Sequence, residues 1–481
     1  MIKELIKEKP DGIIAKAYAF AEKKHNGQKR KTGEPYFNHP IATATQLFKW
    51  GLDEETIAAG LLHDVLEDTK TTIEEMEKEF GEKITAIVAG VSKIGKVKYR
   101  GKEAQAELLR KMMLSLSDDV RTVFVKLADR LHNMKTLGAL PLQKQKRIAL
   151  ETAEIYAPLA YRLGMRELSG ELEDLAFPFI DPRNHEMILR LVEKHYGRRE
   201  RYLLKVKPII EEALLKGGIN EHEISFRAKK YYSLFKKLKK YDMEIENIYD
   251  LVAFRIIAPT LEKCYTTLGI IHSLWPPVPG RIKDYIANPK PNGYRSLHTT
   301  VFCLDGKITE FQIRTKEMHE EAENGIAAHW IYKRAGEFNK IKYKNLSQLS
   351  KETEWLKKTK KQKTDFKSAE VFINALKVDF FKDRIYAITP KGEVIDLPAK
   401  ATPVDFAYKV HSLLGHETVG ARINGKIAPL SFKLNSGDIV EILRQRGKKP
   451  SKDWLGFVAT ESAKDHIKNY LNKKEKRLKE N

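Results

Sequence analysis

Four residues in the first third of the chain have the types that bind a divalent metal. They are His39, His63, Asp64 and Asp129, and the last three stand in the helical segments LLHDVLEDT and FVKLADRLHNM. Two imidazoles and two carboxylates suit a borderline ion such as Mn²⁺, Zn²⁺ or Fe²⁺, which can acidify water for attack on phosphorus. The alternative is a set of capped and salt-bridged helical residues, because a His-Asp pair alone is a weak metal signal.

Two further carboxylates follow the His-Asp pair by one helical turn. In a continuous helix, His63 faces Glu67 and Asp64 faces Asp68. We predict that Glu67 and Asp68 are catalytic residues, because carboxylates beside an acidified water can transfer its proton.

A second group of polar residues, between positions 226 and 314, combines cations with acids and an aromatic ring. The segment FRAKKYYSLFKKLKK (226–240) is a solvated helix face if taken alone. Asp250, however, ends ENIYD just before the strand-like LVAFRII, and Mg²⁺ takes a few carboxylates together with phosphate oxygens. Cations bind polyphosphate and an aromatic ring can stack on a base. The following loop and strand offer Arg281, Lys283, Lys290, Asn292, Tyr294 and His298.

The strand ITEFQIRT carries a polar face. Alternation places Glu310, Gln312 and Arg314 on one side. A two-residue Asp-Gly loop would pair Val301 with Glu310 and leave His298 on the opposite face of the sheet from Glu310. A bulge or a longer loop would instead place His298 and Glu310 on the same face. The sequence leaves both possibilities open.

The elements that hold these residues predict a multidomain fold of α and α+β regions. The first 180 residues read as helices throughout, and short strand-like runs begin near residue 245. The predicted divisions are a helical domain (1–180), connecting helices (181–204), an α+β domain (205–335), a Lys-rich linker (336–382), a small α+β domain (383–445) and a basic helical tail (446–481).

Composition limits the function classes further. The chain has 481 residues and a net charge of +22, which favours an anionic partner. Its two cysteines, Cys264 and Cys303, exclude a disulfide framework and a cysteine-rich zinc site. We find no signal peptide and no run of apolar residues long enough to span a membrane. We therefore expect a cytoplasmic protein without a membrane partner.

The helical segments resemble the hydrolase domain of the long RelA/SpoT-homologue (Rel) enzymes of the stringent response. The similar sequence motifs, which occur in the same order, are HNGQKRKTGEPYFNHP, AGLLHDVLEDT, VKLADRLHNM and EIYAPLAYRLG. The resemblance implies an HD-type fold in which the four ligands bind Mn²⁺ and water removes the 3′-pyrophosphate of (p)ppGpp. It also implies that Arg30 holds substrate and that Asn133 supports the site.

The α+β segment resembles the synthetase domain of the same family through YDLVAFRII, PGRIKDYIANPKPNGYRSLHTT and EFQIRTKEMHEEAENGIAAHW. This implies a nucleotidyltransferase-like mixed sheet that transfers pyrophosphate from ATP to the 3′-hydroxyl of GDP or GTP. Asp250 and Glu310 would bind Mg²⁺, Glu310 would also act as the base, and Tyr294 would stack on guanine near Asn292. The remaining implied substrate-binding residues are Arg227, Lys229, Lys237, Arg255, Arg281, Lys283, Lys290, His298 and Gln312.

One departure keeps a second function open. FRAKK (226–230) stands where the family usually has GRPKH, so the alternative is mainly a (p)ppGpp hydrolase with a weak or inactive synthetase domain. A regulatory protein that only binds nucleotide or RNA is a further possible class of function. The predicted metal ligands argue against it, because binding alone does not require them.

Residues 383–445 resemble the β-grasp-like TGS domain of the family. The resemblance implies contact of His411 with uncharged tRNA on the ribosome, against the alternative of a structural histidine at a helix end. The basic segment RQRGKKPSKDW (444–454) suits an RNA backbone. The family usually continues through further helical, zinc-finger-like and ACT or RRM regions that this sequence lacks.

Overall fold

The computed structural model describes residues 2–95, 101–239, 251–290, 293–325, 327, 384–435 and 437–479. The chain divides into two compact units, Met1–Lys363 and Thr364–Asn481. The first unit contains a helical region followed by a region built on a mixed sheet, and the second is a smaller α+β unit.

The described part of residues 2–180 is helical apart from its turns and one isolated bridge between Lys29 and Pro35. The predicted all-helical region is therefore confirmed. A π-helical turn, Thr152–Tyr156, precedes α10. The helices are α1 (Ile2–Glu8), α2 (Ile13–Lys24), α3 (Asn38–Lys49), α4 (Glu54–Leu62), α5 (Val65–Asp68), α6 (Ile73–Gly95), α7 (Gly101–Asp118), α8 (Val120–Lys135), α9 (Leu142–Glu151), α10 (Ala157–Arg162) and α11 (Arg166–Ile180).

Helices α3, α4 and α8 pack against one another around the predicted metal ligands. Asp53 caps α4 by accepting from the backbone N–H of Thr56 at 2.7 Å, and Asp119 caps α8 in the same way. Gly60 lets α4 approach α3 closely, because a Cβ there would collide with Leu47 and lie 3.4 Å from Cα of Ala44.

The helix that was expected to run through LLHDVLEDT is interrupted. α4 ends at Leu62 and α5 begins at Val65, which leaves His63 and Asp64 in the turn between them. In one continuous helix, consecutive side chains point about 100° apart. The break instead allows both side chains to face the same centre.

A single long helix connects the helical region to the sheet. α12 (Pro182–Lys216) begins after Asp181, whose carboxylate accepts from the backbone N–H of Asn184. It continues past residue 204, where a domain boundary was predicted. The domain boundaries as a whole stay predictions.

The sheet of the first unit is mixed, as the sequence predicted. Its strand order is β1-β2-β5-β4-β3, in which only the β2–β5 pair is parallel. Apolar side chains of the sheet pack against α12 and α14 on one face, which leaves the other face polar. The elements after α12 are β1 (Glu223–Ala228), α13 (Tyr231–Leu238), β2 (Val252–Ala258), α14 (Leu261–Leu274), β3 (Lys283–Asp284), β4 (Leu297–Phe302), β5 (Ile308–Thr315) and α15 (Lys316–Asn324).

The β4–β5 connection decides which predicted residues share a face. Thr300 pairs with Glu310, and His298 pairs with Gln312. The strands are joined by Cys303–Lys307 rather than by a two-residue loop, with Asp305 and Gly306 both at positive φ. His298, Glu310 and Gln312 therefore lie on the same face of the sheet.

The second unit contains two small sheets and packed helices. β6 (Arg384–Ile388) and β7 (Val394–Pro398) form a hairpin, and a second sheet has the order β10-β8-β9. Asp405 is buried and accepts from the backbone N–H groups of Ala459 and Thr460, which ties the tail to α16. The other elements are α16 (Pro403–Val410), α17 (Ser412–His416), β8 (Thr418–Ile423), β9 (Lys426–Ala428), β10 (Val440–Arg444) and α18 (Glu461–Lys479).

Candidate active sites

The four predicted ligands of the helical region converge on one point. Nε2 of His39 lies 3.2 Å from Nε2 of His63 and 3.2 Å from Oδ1 of Asp129. Asp64 completes the group, with Oδ1 at 3.2 Å from Nε2 of His63 and Oδ2 at 3.5 Å from Nε2 of His39. Ligands placed about 2.1 Å from a shared ion lie about 3–3.5 Å apart. The spacing therefore fits a bound divalent ion.

The hydrogen positions support the same conclusion. Nδ1 of His63 lies 2.9 Å from the Gly60 carbonyl oxygen and must donate to it, so a neutral His63 directs the lone pair of Nε2 inward. Burial alone would raise the pKa of Asp64, but the neighbouring imidazoles hold that pKa below its usual range. Burial would lower the pKa of His63, yet Asp64 and Asp129 raise it to about 9. A cluster of inward-facing acceptors needs a proton or a cation at its centre.

Each ligand also has a partner outside the cluster, and three of these partners were not predicted from the sequence. The Tyr36 hydroxyl lies 2.8 Å from Oδ2 of Asp64, and Nζ of Lys126 donates to Asp129 at 2.7 Å. Nδ1 of His132 lies 2.9 Å from Nδ1 of His39. Lys126 and His132 stand three residues before and after Asp129 on α8, and that spacing was the available signal.

Arg30 and Asn133 lie beside this cluster. Asn133 donates to Asp129 and accepts from Nη2 of Arg30 at 2.7 Å. Arg30 is positioned by a small turn, in which its backbone N–H donates to the carbonyl of Glu34 and Gly33 has a positive φ. These two predicted substrate residues are therefore brought to the predicted metal ligands.

The two predicted proton-transfer residues have different surroundings. Asp68 accepts from the hydroxyl of Tyr36 at 2.5 Å, which connects it to Asp64 through one side chain. Burial raises the pKa of Glu67, and the charge of Lys126 opposes this only in part. A raised pKa brings a carboxyl group nearer the working range of a general acid or base.

The second group of predicted residues forms a row across the polar face of the sheet. Residues that are directly paired on neighbouring strands point to the same face of the sheet. Lys283 pairs with His298, His298 pairs with Gln312, and Gln312 pairs with Arg255, so the four side chains share one face. Arg227 lies beside this row, with Nη1 at 3.4 Å from Oε1 of Gln312.

An acid, an imidazole and a phenol are linked within this face. Oε1 of Glu310 lies 3.2 Å from Nδ1 of His298, and Nε2 of His298 lies 2.8 Å from the hydroxyl of Tyr294. Burial lowers the pKa of His298 although Glu310 opposes the shift, so the imidazole is neutral near pH 7. Nζ of Lys290 lies 5.5 Å from the Tyr294 ring centroid, which adds a cation to the group.

A buried arginine, Arg314, lies on the polar face as the strand alternation predicted, although it was not among the predicted substrate-binding residues. Arg314 is 1% exposed, and it shares the carboxylate of Glu323 with Arg255 at 3.3 and 3.4 Å. The Nε atoms of Arg314 and Arg255 are both buried and have no hydrogen-bond partner among the residues that the structure describes. The neighbouring His319 adds no charge, because burial and the two arginines lower its pKa to about 4. This part of the face is suited to an anionic phosphate group.

The other predicted residues of this region lie in loops, in helix α13 or outside the described residues. Arg281 is an exposed loop residue, and Lys237 is in the last turn of α13. Lys229 was expected on a helix, but it lies between β1 and α13, where its backbone N–H donates to the carbonyl of Leu251 at 3.0 Å. Asp250 and Asn292 lie outside the described residues.

Helix α11 of the helical region contacts the sheet region directly. Its Glu173 accepts from Lys236, and its Asp174 accepts from the backbone N–H of Tyr232 at the start of α13. Arg166, at the start of α11, lies 4.3 Å from the ring centroid of Tyr294. Helix α11 thus contacts both α8 of the helical region and α13 of the sheet region.

His411 lies at a helix junction of the second unit. It is exposed, and its Nδ1 accepts from the backbone N–H of Leu413 at 3.2 Å, which caps α17. A structural role is therefore present, while the exposed ring remains accessible.

Three families match successive parts of the chain. Residues 17–166 match the HD domain, residues 226–337 the region found in RelA / SpoT proteins, and residues 385–444 the TGS domain. The predicted domain types are confirmed by these matches. In the part of the chain that the structure describes, no helix is long and apolar enough to cross a membrane.

Several known proteins are similar to nearly the whole chain. A guanosine-3′,5′-bis(diphosphate) 3′-pyrophosphohydrolase of Aquifex aeolicus is 47% identical over 96% of this chain and 65% of its own length. A GTP pyrophosphokinase of Myxococcus xanthus is 45% identical over 96% of this chain and 61% of its own length. The bifunctional (p)ppGpp synthase/hydrolase SpoT of Escherichia coli is 44% identical over 95% of this chain and 64% of its own length. The chain spans less than two thirds of the length of each.

Proposed function

We propose that this chain belongs to the RelA/SpoT family and that it both makes and hydrolyses (p)ppGpp. The relatives that match almost all of it are named for one or both of these reactions. The proposal assigns Mn²⁺-dependent hydrolysis to the helical region and Mg²⁺-dependent pyrophosphate transfer to the sheet region. The observation that carries it is the convergence of His63, Asp64 and Asp129 around His39, whose Nε2 lies 3.2 to 3.5 Å from an atom of each.

In the hydrolase reaction, water adds to phosphorus and the bond to the ribose 3′ oxygen breaks. A divalent ion held by the four ligands would supply Lewis-acid activation of water and phosphate. Arg30 would hold the departing pyrophosphate, and Asn133 would keep both Arg30 and Asp129 in place. Glu67 and Asp68 would take the proton from water and return one to the 3′ oxygen.

In the synthetase reaction, the 3′-hydroxyl of GDP or GTP attacks the β-phosphorus of ATP, and AMP leaves. Glu310 would accept the hydroxyl proton, with His298 at 3.2 Å to orient its carboxylate. Asp250 and Glu310 would hold Mg²⁺, and Tyr294 would stack on guanine near Asn292. The remaining cations would bind the phosphates: Arg227, Lys229, Lys237, Arg255, Arg281, Lys283 and Lys290.

The paired assay of the purified chain tests both reactions. GDP and ATP with Mg²⁺ should give ppGpp and AMP, and ppGpp with Mn²⁺ should give GDP and pyrophosphate. AMP without ppGpp would indicate ATP hydrolysis instead of transfer. The absence of both guanine products would contradict the proposal.

Mainly hydrolytic activity is the second candidate. Two observations favour it: Phe226 packs against the sheet core where the family usually has glycine, and Arg166 covers one face of Tyr294. Pyrophosphate release from ppGpp together with little ppGpp synthesis would select this alternative.

The second unit supports a further proposal about partners. An exposed His411 and the basic segment 444–454 would contact uncharged tRNA on the ribosome. A binding measurement with uncharged and aminoacylated tRNA tests this, with His411→Ala as the variant. The nucleotide substrates and the two free, buried thiols of Cys264 and Cys303 support a cytoplasmic setting.

A further inference from the structure

We infer that His132 is a positioning residue of the hydrolase site, which holds His39 in the tautomer that can bind a metal. The inference rests on the proposed hydrolase function but concerns a residue outside the predicted ligand and substrate set. His132 is the partner of His39 outside the cluster, and it also contacts Arg30.

Three short contacts define the arrangement. Nδ1 of His132 lies 2.9 Å from Nδ1 of His39 and 2.8 Å from Nη1 of Arg30. The imidazole rings of His39 and His132 have centroids 5.0 Å apart and are tilted by 38°. Nε2 of His39 faces Asp129 at 3.2 Å on the opposite side of its ring.

The chemistry of these atoms determines where the protons lie. A guanidinium has only donors, so Nη1 of Arg30 must donate to Nδ1 of His132. Nδ1 of His132 therefore has no hydrogen, and the proton of its neutral ring is on Nε2. Two nitrogens 2.9 Å apart need one donor between them, so Nδ1 of His39 carries the hydrogen and donates to His132.

This arrangement prepares His39 for a metal. A neutral histidine with its hydrogen on Nδ1 has its lone pair on Nε2, the atom that faces His63 and Asp129. The Gly60 carbonyl does the same for His63. When His63 is neutral, both imidazoles thus direct a lone pair to the centre of the cluster, and each is held by an acceptor behind it.

The contact with Arg30 gives His132 a second connection. The same Nδ1 lies within hydrogen-bond distance of a predicted metal ligand and of the residue proposed to hold pyrophosphate, so the two donors share its single lone pair. His132 therefore fixes the position of the metal-binding nitrogen relative to the substrate cation, and Asn133 provides a parallel link from Arg30 to Asp129.

Three variants separate an acceptor role from a merely structural one. The amide oxygen of asparagine stands close to where Nδ1 of histidine lies, whereas the polar group of glutamine reaches the position of Nε2. His132→Asn therefore keeps the acceptor, His132→Gln moves it, and His132→Leu removes it. Loss of a histidine's outer partner typically reduces metal affinity by about 10- to 100-fold.

The test is calorimetric titration of the metal-free full chain with Mn²⁺, with folding of each variant checked by thermal unfolding. We expect His132→Leu and His132→Gln to weaken Mn²⁺ binding by about 10-fold or more, and His132→Asn to stay within about threefold of the unmodified chain. Equal affinity in all four proteins would overturn the inference. Equal weakening of all three folded variants would overturn the acceptor role.

A second measurement needs no stable variant. Nitrogen NMR of the histidine-labelled, metal-free chain should show the proton of His132 on Nε2, whereas a proton on Nδ1 would contradict the inference. Neither measurement depends on catalysis. If the unmodified chain binds Mn²⁺ but does not hydrolyse ppGpp, the proposed function fails while the role of His132 is still decided.

Discussion

The guanidinium of Arg166 lies over the ring of Tyr294, 4.3 Å from its centroid. Arg166 begins the last helix of the helical region, whereas Tyr294 belongs to the polar face of the sheet region. Tyr294 is only 3% exposed as a result of this and its other contacts. A base that stacks on this face of Tyr294 must therefore displace a cation supplied by α11 of the helical region.

Removal of this arginine should expose the ring. A cation–π contact contributes about 0.5–2 kcal/mol, so we expect Arg166→Ala to increase GDP affinity by about 2- to 30-fold. Calorimetric titration with GDP measures this. The exposed Arg183, at the start of α12, provides the control variant Arg183→Ala. Unchanged or weaker GDP binding by Arg166→Ala would contradict the prediction that Arg166 competes with the guanine base for the ring of Tyr294.

The contact between the two regions depends on Gly325. Its backbone has φ 57° and ψ −133°, and a Cβ there would collide with the carbonyl oxygen of Leu163. Such a backbone conformation costs a non-glycine residue about 1–3 kcal/mol before any collision is counted. We therefore expect Gly325→Ala to reduce the free energy of unfolding by more than this amount, as measured by urea denaturation.

Gly280 provides a matched control for that substitution. It also has a positive φ, of 71°, but a Cβ there would meet nothing within 4 Å. Gly280→Ala should therefore cost only the conformational part, about 1–2 kcal/mol. Equal losses in the two variants would show that the close approach to Leu163 does not matter.

The stability of the metal-free chain should depend on pH through His63. Its folded pKa of about 9 lies above the unfolded value of about 6.5, so its contribution is complete below pH 6.5 and is lost as pH rises to 9. A difference of this size corresponds to ~3 kcal/mol. Denaturation of the chelator-treated chain at pH 6.5 and 9 measures the loss.

Added Mn²⁺ should reverse the pH effect, because metal binding requires His63 without its proton and strengthens as pH rises. With saturating Mn²⁺ the unfolding free energy should no longer fall between pH 6.5 and 9. A metal-free chain that is equally stable at both pH values would contradict the prediction that His63 carries a proton in the folded chain.

The sequence predicted much of the proposed hydrolase site because its residues stand in or beside recognisable sequence motifs. His39 stands on α3, His63 follows the end of α4 and Asp129 stands on α8, and they were expected at one centre, where the structure places them. The break between α4 and α5 was not predicted, because LLHDVLEDT has continuous helical periodicity. It arises from the inward orientation of two consecutive side chains, which is a tertiary effect.

Residues that act through other residues were harder to predict. Tyr36 precedes His39 in a loop, and only the fold brings its hydroxyl to Asp64 and Asp68. In the same way, Arg166 shares no motif with Tyr294, and their contact depends on how α11 packs. The β4–β5 loop could not be decided either, because Asp305-Gly306 suits both a tight turn and a longer connection.

We propose that one chain carries two separate catalytic sites, and two variants measured in two assays test this. Asp129→Ala and Glu310→Ala are assayed for pyrophosphate release from ppGpp with Mn²⁺ and for ppGpp synthesis from GDP and ATP with Mg²⁺. Asp129→Ala should abolish release and retain synthesis, and Glu310→Ala should do the reverse. Continued Mn²⁺-dependent release by Asp129→Ala, or continued synthesis by Glu310→Ala, would contradict the assignment.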